Sequence, residues 1–145
     1  MTPQQTAEAV RDLMLAQDSA SRSLGIEVIA IAPGTATLAM TVREDMLNGF
    51  GSCHGGLIAT LADSAFAFAC NSRNERTVAS GFSIDIVAPG RPGDRLTAIA
   101  RELQRGNRTG LYDITVRNQR DELVAEFRGK SYALKGQTIV EGAAT

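Results

Sequence analysis

The stretch Leu57-Ile58-Ala59-Thr60-Leu61-Ala62-Asp63-Ser64-Ala65-Phe66-Ala67-Phe68-Ala69-Cys70 decides the fold. It is apolar nearly all round at a helical period, and a helix of that kind has to be enclosed on every side. Asp63 interrupts it, and it falls short of the about 20 apolar residues that span a bilayer. Its enclosure is therefore expected to come from protein. Gly55-Gly56 opens it, after a loop at Asn48-Gly49-Phe50-Gly51.

Working outward, Thr2-Pro3 is an N-cap and first-turn pair, and Ala7, Val10, Leu13 and Met14 follow at helical spacing, which predicts an amphipathic first helix. From Leu24 the period drops to two. Ile26, Val28 and Ala30 share one face, Ala32-Pro33-Gly34-Thr35 supplies a turn, and Leu38, Met40 and Val42 alternate with threonines, so a hairpin is expected. Beyond the apolar helix, four strands are predicted near 78–87, 96–103, 111–116 and 123–134. The breaks between them are Pro89-Gly90-Arg91-Pro92-Gly93, Gly106-Asn107 and the segment 118–121. Such short connections favour antiparallel neighbours. A sheet following one apolar helix can bury it by curling around it, which gives an α+β fold with an antiparallel sheet around a long central helix. One domain is expected over residues 1–145, with 136–145 as a loose tail.

Composition narrows the function. Fifteen basic residues are scattered among sixteen acidic ones for a net charge of -1, so no basic field is available to gather nucleic acid. No leader pattern or membrane span is read at the N-terminus or elsewhere. Two cysteines, Cys53 and Cys70, lack metal-ligand spacing and have a single histidine to help them. A reduced, cytoplasmic setting without a metal is expected.

Asp63 is the only charged side chain between His54 and Arg73. A carboxylate among apolar residues costs several kcal/mol unless it is paired, hydrogen-bonded or protonated. The bland account puts it on a polar stripe with Thr60 and Ser64, reaching water. That stripe is narrow, and no cation lies one helical turn away. At the start of the same helix, the amides of Gly55 and Gly56 lack intrahelical acceptors and carry the positive end of the dipole. They are candidate donors to a carbonyl oxygen that gains charge under attack, although a Gly-Gly pair also serves as a plain tight turn. Gly55 and Asp63 are eight residues apart, about 12 Å along a straight helix. An acid and an oxyanion donor have to meet at one carbonyl. The spacing therefore predicts a composite site, with Gly55 of one subunit facing Asp63 of another across a two-fold axis.

The run Asn48-Gly49, Cys53-His54-Gly55-Gly56 and Leu61-Ala62-Asp63-Ser64-Ala65-Phe66-Ala67-Phe68-Ala69-Cys70-Asn71-Ser72 resembles the PaaI-type hot-dog thioesterases of phenylacetate degradation. Val78-Ala79-Ser80, Ile84-Asp85, Pro89-Gly90, Thr109-Gly110, Tyr112-Asp113-Ile114 and Phe127-Arg128-Gly129-Lys130-Ser131 extend the likeness over nearly the whole chain. The resemblance implies a hot-dog fold, dimers that pair into homotetramers, and hydrolysis of phenylacetyl-CoA or hydroxyphenylacetyl-CoA. It implies no cofactor, coenzyme A being part of the substrate. By position, Asp63 would activate water or attack directly, Gly55 would donate its N–H to the carbonyl oxygen, and Asn48 would orient nucleophile or substrate. His54 would support the loop near the sulfur, and Ser80 or Ser83 would be the strand hydroxyl that holds the water.

Other candidates are weaker. His54 as a general base competes with a role as loop brace, and Cys53 as a nucleophile with a role as a small packed residue. The hairpin tip Arg105-Gly106-Asn107-Arg108 offers Arg105, Asn107 and Arg108 to the phosphates of coenzyme A, or is simply a solvated turn. Arg91, Arg95 and Lys130 are further possible phosphate contacts, and Phe66, Phe68 and Phe82 possible walls of an acyl pocket. Two other functions fit the same residues: hydration or dehydration of an enoyl-CoA by His54 with Asp63, and non-catalytic acyl-CoA binding.

Overall fold

The computed structural model describes residues 1–141. Helix α1 (Pro3–Gln17) begins as its sequence predicts: Thr2 Oγ1 accepts the Gln5 amide at 3.1 Å while Gln5 Oε1 accepts the Thr2 amide at 2.9 Å. This reciprocal cap satisfies two amides that the helix itself cannot. Asp18 closes α1 and caps the short α2 (Ser19–Ser23). Strands β1 (Glu27–Ala32) and β2 (Thr35–Thr41) form the expected hairpin, its turn completed by Gly34 at φ +80°. A 3-10 turn at Glu44–Met46 precedes α3 (Gly55–Asn71), and β3 (Thr77–Ile86), β4 (Arg95–Arg105), β5 (Thr109–Arg117) and β6 (Leu123–Ala133) follow.

The six strands make one antiparallel sheet in the order β1-β2-β4-β5-β6-β3, and α3 is buried against it. Leu61, Phe66 and Phe68 of α3 share a core with Leu38, Met40, Leu96, Ile114 and Phe127. Each such side chain contributes about 1.5–3 kcal/mol by leaving water. The Phe66 ring lies so close to β6 that a Cβ on Gly129 would stand 2.9 Å from three of its atoms. Only glycine admits this approach.

The structure departs from the sequence reading in three places. A bulge between Val28 and Ala30 reverses the phase of β1, so Ile31 is buried and Ala30 is exposed. Strands β3 and β4, joined by a short turn-rich segment, are not neighbours. Their connector leaves beside β6, where the amides of Val87 and Ala88 bond to Val124 O, and arrives beside β2, where Gly93 N donates to Val42 O and Asp94 O accepts from Val42 N. It thus spans one end of the curled sheet, and the Cys53 amide donates to Gly90 O on the way. Third, the segment read as a loose tail is held over its first part. Asn74, itself at φ 65°, accepts the amides of Ile139 and Val140 at 2.9 and 2.8 Å and donates to Val140 O at 2.8 Å. The rest of that expectation, residues 142–145, lies outside the described residues.

The two sheet edges differ. Helix α1 packs along β1, and Gln4 Nε2 donates to Ile31 O at 2.8 Å. Among the described residues, edge β3 is bonded only to β6 and leaves Val78, Phe82 and Ile86 exposed. An uncovered apolar edge strand invites pairing with another chain.

Candidate active site

His54 caps α3 with extended backbone, and its carbonyl accepts the amides of Leu57 at 3.0 Å and Ile58 at 3.3 Å. The amides of Gly55 and Gly56 have no acceptor among the described residues. They are left pointing out of the helix start, where a ligand oxygen can take them. Asn48 builds the loop in front of them: its Oδ1 accepts the amides of Phe50 at 2.9 Å and Ser52 at 3.2 Å. A cleft of about 350 Å³ results, lined by Asn48, Cys53, Gly55, Ile58, Ile86 and Pro89 among others. A Cβ on Gly55 would sit 2.9 Å from Ile86 Cδ1, so β3 closes one side of the cleft directly against the helix start.

Asp63 is partly buried and makes no side-chain hydrogen bond or ion pair among the described residues. Burial pushes its carboxyl above the ordinary carboxylate range, and the negative charge of Asp18 pushes it further the same way. The polar stripe that would have excused it is absent. Thr60 Oγ1 donates back to Gly56 O at 2.8 Å, and Ser64 is buried and bonded to Ser21 at 2.8 Å.

The structure brings Asn48 and Gly55 together in the cleft at the head of α3, while Gly56 follows Gly55 on the exposed side without lining it. His54 is beside them, exposed and without a side-chain hydrogen bond among the described residues. Asp63 stands two turns away. On β3, Ser80 occupies a bulge and donates to Lys130 O at 3.2 Å. Ser83 alternates with Phe82 and Ile84, which face the core side, and so lies on the opposite face. Arg105, Asn107 and Arg108 are exposed at the β4–β5 turn. Arg105 Nη2 lies 3.5 Å from a Glu75 carboxylate oxygen, just past the end of α3. That end is about 25 Å from Gly55 along a helix of this length. Within one protomer the turn and the cleft are therefore at opposite ends. Both thiols are buried; burial raises Cys53 and pushes Cys70 up to about 12, so neither supplies a thiolate near neutral pH.

Sequence reasoning missed Asp18, Ser21 and Ile86. Asp18 with Ser21 three residues on was legible as a helix cap. Its placement beside Asp63, 45 residues away, was not.

An acid without a partner and amides without acceptors, carried on one sheet-wrapped helix, suit attack on a thioester carbonyl, and the fold that carries them is the hot-dog fold of thioesterases. Comparison with known proteins narrows this class. Residues 50–125 match the thioesterase superfamily. Acyl-coenzyme A thioesterase PaaI of Escherichia coli strain K12 is 48% identical over 123 residues, covering 85% of this chain and 88% of its own. A structure of the E. coli PaaI protein from the phenylacetic acid degradation operon superposes with a TM-score of 0.92 at 44% identity, covering 94% of this chain and 99% of that one. The smu.793 protein of Streptococcus mutans, solved bound to acetyl-CoA, has a TM-score of 0.75 at 26% identity and covers 78% of this chain and 91% of its own. The chain belongs to the thioesterase superfamily and, within it, to the PaaI-type acyl-CoA thioesterases. No helix among the described residues is long and apolar enough to cross a membrane.

Proposed function

We propose that this chain hydrolyses arylacetyl thioesters of coenzyme A, phenylacetyl-CoA and its hydroxylated forms first, in a site completed by a second copy of itself. The observation that carries the reading is the two-turn separation between the acceptor-less Gly55 amide and the partnerless Asp63 carboxylate. Each is half of a hydrolytic site. Gly55 of one subunit binds the thioester oxygen, and Asp63 of the partner subunit approaches the same carbonyl from the other side. The open edge of β3, with Val78, Phe82 and Ile86 exposed, supports a dimer formed there, and two such dimers make the proposed homotetramer.

The reaction follows from these groups. Asp63 takes a proton from water as the oxygen attacks, or attacks itself to form an anhydride that water then opens. The carbonyl oxygen gains charge and is held by the Gly55 N–H. The C–S bond then breaks. Where Asp63 has taken a proton from water, the thiolate of coenzyme A leaves with that proton. Where Asp63 has attacked, the thiolate leaves as the anhydride forms and takes its proton from solvent, and water afterwards opens the anhydride to the acid and the free carboxylate. A positioned base contributes about 10²- to 10⁴-fold and one oxyanion donor about 10²- to 10³-fold. Asn48, whose Oδ1 is committed to the loop, keeps its amide N–H groups for water or substrate. The chemistry uses water, carboxylate and amide alone. Phe82, half exposed and stacked on Phe127 at 4.7 Å, offers a wall for an aromatic acyl group. Arg105, Asn107 and Arg108 would receive phosphates of coenzyme A where the substrate runs between subunits.

A panel of aromatic and aliphatic acyl-CoAs, followed by release of free thiol, tests this reading. Thiol should appear fastest from the arylacetyl esters. Equal rates with aliphatic esters would contradict the substrate class, and turnover without thiol release would contradict hydrolysis.

A further inference from the structure

Asp18, at the junction of α1 and α2, accepts two hydrogen bonds from Ser21: the amide at 3.0 Å and the hydroxyl at 2.7 Å. Ser21 Oγ lies 2.8 Å from Ser64 Oγ, and both serines are buried. An ionised carboxylate only accepts, so the one Ser21 hydroxyl proton points at Asp18. The Ser21 oxygen must then accept the proton of Ser64. An ordered chain of donors thus runs from the turn of α3 that carries Asp63 to a charged end at Asp18.

We propose that Asp18 is a positioning residue for hydrolysis, whose hydrogen-bonded strap through Ser21 and Ser64 fixes the turn of α3 that carries Asp63 and whose negative charge is held close to that acid. This rests on Asp63 being the reacting carboxylate. The strap is the polar link between α2 and α3: Ala62 and Ala65 beside it offer only packing. Burial raises the Asp63 carboxyl, Asp18 adds to it, and a carboxylate raised in this way is a stronger base toward water once ionised.

Asp18 is the one charge among the described residues that shifts Asp63. On α1, which also packs against α3, Arg11 pairs with Asp12 at 2.9 Å and Glu8 accepts from Gln4 at 3.2 Å. On α3 itself, Cys70 is held neutral by burial. The strands packed against α3 present apolar side chains such as Leu38, Met40, Leu96 and Ile114. Tyr112 of β5 turns its hydroxyl to Glu102 at 3.1 Å, and Arg22 on α2 is exposed.

The test compares the parent with Asp18→Asn and Asp18→Ser, both of which retain an N-cap for α2. Two quantities are read against pH: the ¹³C shift of the Asp63 carboxyl carbon, and kcat/KM for phenylacetyl-CoA. In both variants the Asp63 midpoint and the acid limb should move together to lower pH. Relative to its own plateau each variant should therefore keep activity to lower pH than the parent, while its plateau kcat falls. Loss of packing alone would lower activity everywhere and move neither midpoint. An Asp63 midpoint that stays put in both variants overturns the role of Asp18. A midpoint that moves while the acid limb does not would instead overturn the assignment of Asp63 as the reacting acid.

Discussion

Gly55 and Asp63 belong to the same helix, separated by eight residues, which amounts to about 12 Å of rise and a rotation of about 80°. One amide and one carboxylate so placed cannot attend to the same carbonyl from a single chain. The composite site proposed for catalysis follows from that offset.

Asp63→Asn should lower kcat by about 10²- to 10⁴-fold, the range of a lost general base. The same variant should be more stable at neutral pH. The folded Asp63 pKa stands above its unfolded value. Between those two values the folded chain keeps a proton that the unfolded chain has released, and above that window the ionised carboxyl costs stability. Asn removes this cost. The Tm of Asp63→Asn should exceed the parent's at pH 7, and the two should converge below the ordinary carboxylate range. A lower Tm at pH 7 would contradict this electrostatic account.

The acid limb of kcat/KM should lie above about 3.9, the ordinary pKa of an Asp side chain. The working species is the carboxylate, so activity is lost as pH falls through the raised pKa. A pH series from 4 to 8 checks it, and a limb at or below the ordinary value would mean that the burial of Asp63 is relieved in the working enzyme.

Gly129→Ala places a methyl group against the face of Phe66, within 2.9 Å of three ring atoms. The ring is fully buried and tilted against Tyr112 and Phe127 at 5.5 and 5.9 Å, so it has nowhere to retreat. Stability should fall by about 1–3 kcal/mol, the usual cost of overpacking. Denaturant midpoints of the two proteins measure it.

Most of the fold was legible because it is written in local periodicity. All six strands and both long helices stand where alternation and helical spacing put them, and Asp63 drew notice as the one charge in an apolar run. What escaped depends on contacts distant in sequence. The bulge near Ile29 is a backbone adjustment that leaves the composition of β1 unchanged. The pairing of β3 with β6 is decided by where α3 delivers the chain. Ser64 looked like a solvent residue beside Asp63, yet it turns toward Ser21, 43 positions away. No spacing rule announces that meeting.

Asn74 shows the same limit at the tail. Its left-handed backbone and three hydrogen bonds to Ile139 and Val140 tie down a segment whose composition reads as loose. Asn74→Gly keeps the backbone conformation and removes the anchor. Hydrogen exchange at the Ile139 and Val140 amides should accelerate while exchange in β5 stays unchanged; unaltered protection at both amides would show that Asn74 is not what holds the segment.

The most direct measurement is subunit complementation. Gly55→Pro removes the N–H at the first helical position, where proline is tolerated, and the extended His54 before it suits a following proline. Ile86→Val is added to clear the contact with Ile86 Cδ1. Asp63→Asn and the Gly55→Pro/Ile86→Val chain should each be nearly inactive alone. Co-expressed under two tags, half the dimers mix at random and each mixed dimer rebuilds one site of two, so roughly a quarter of parental activity should return. Mixed dimers that form and remain as inactive as either variant would show that both groups act within one chain, and the composite site would be wrong.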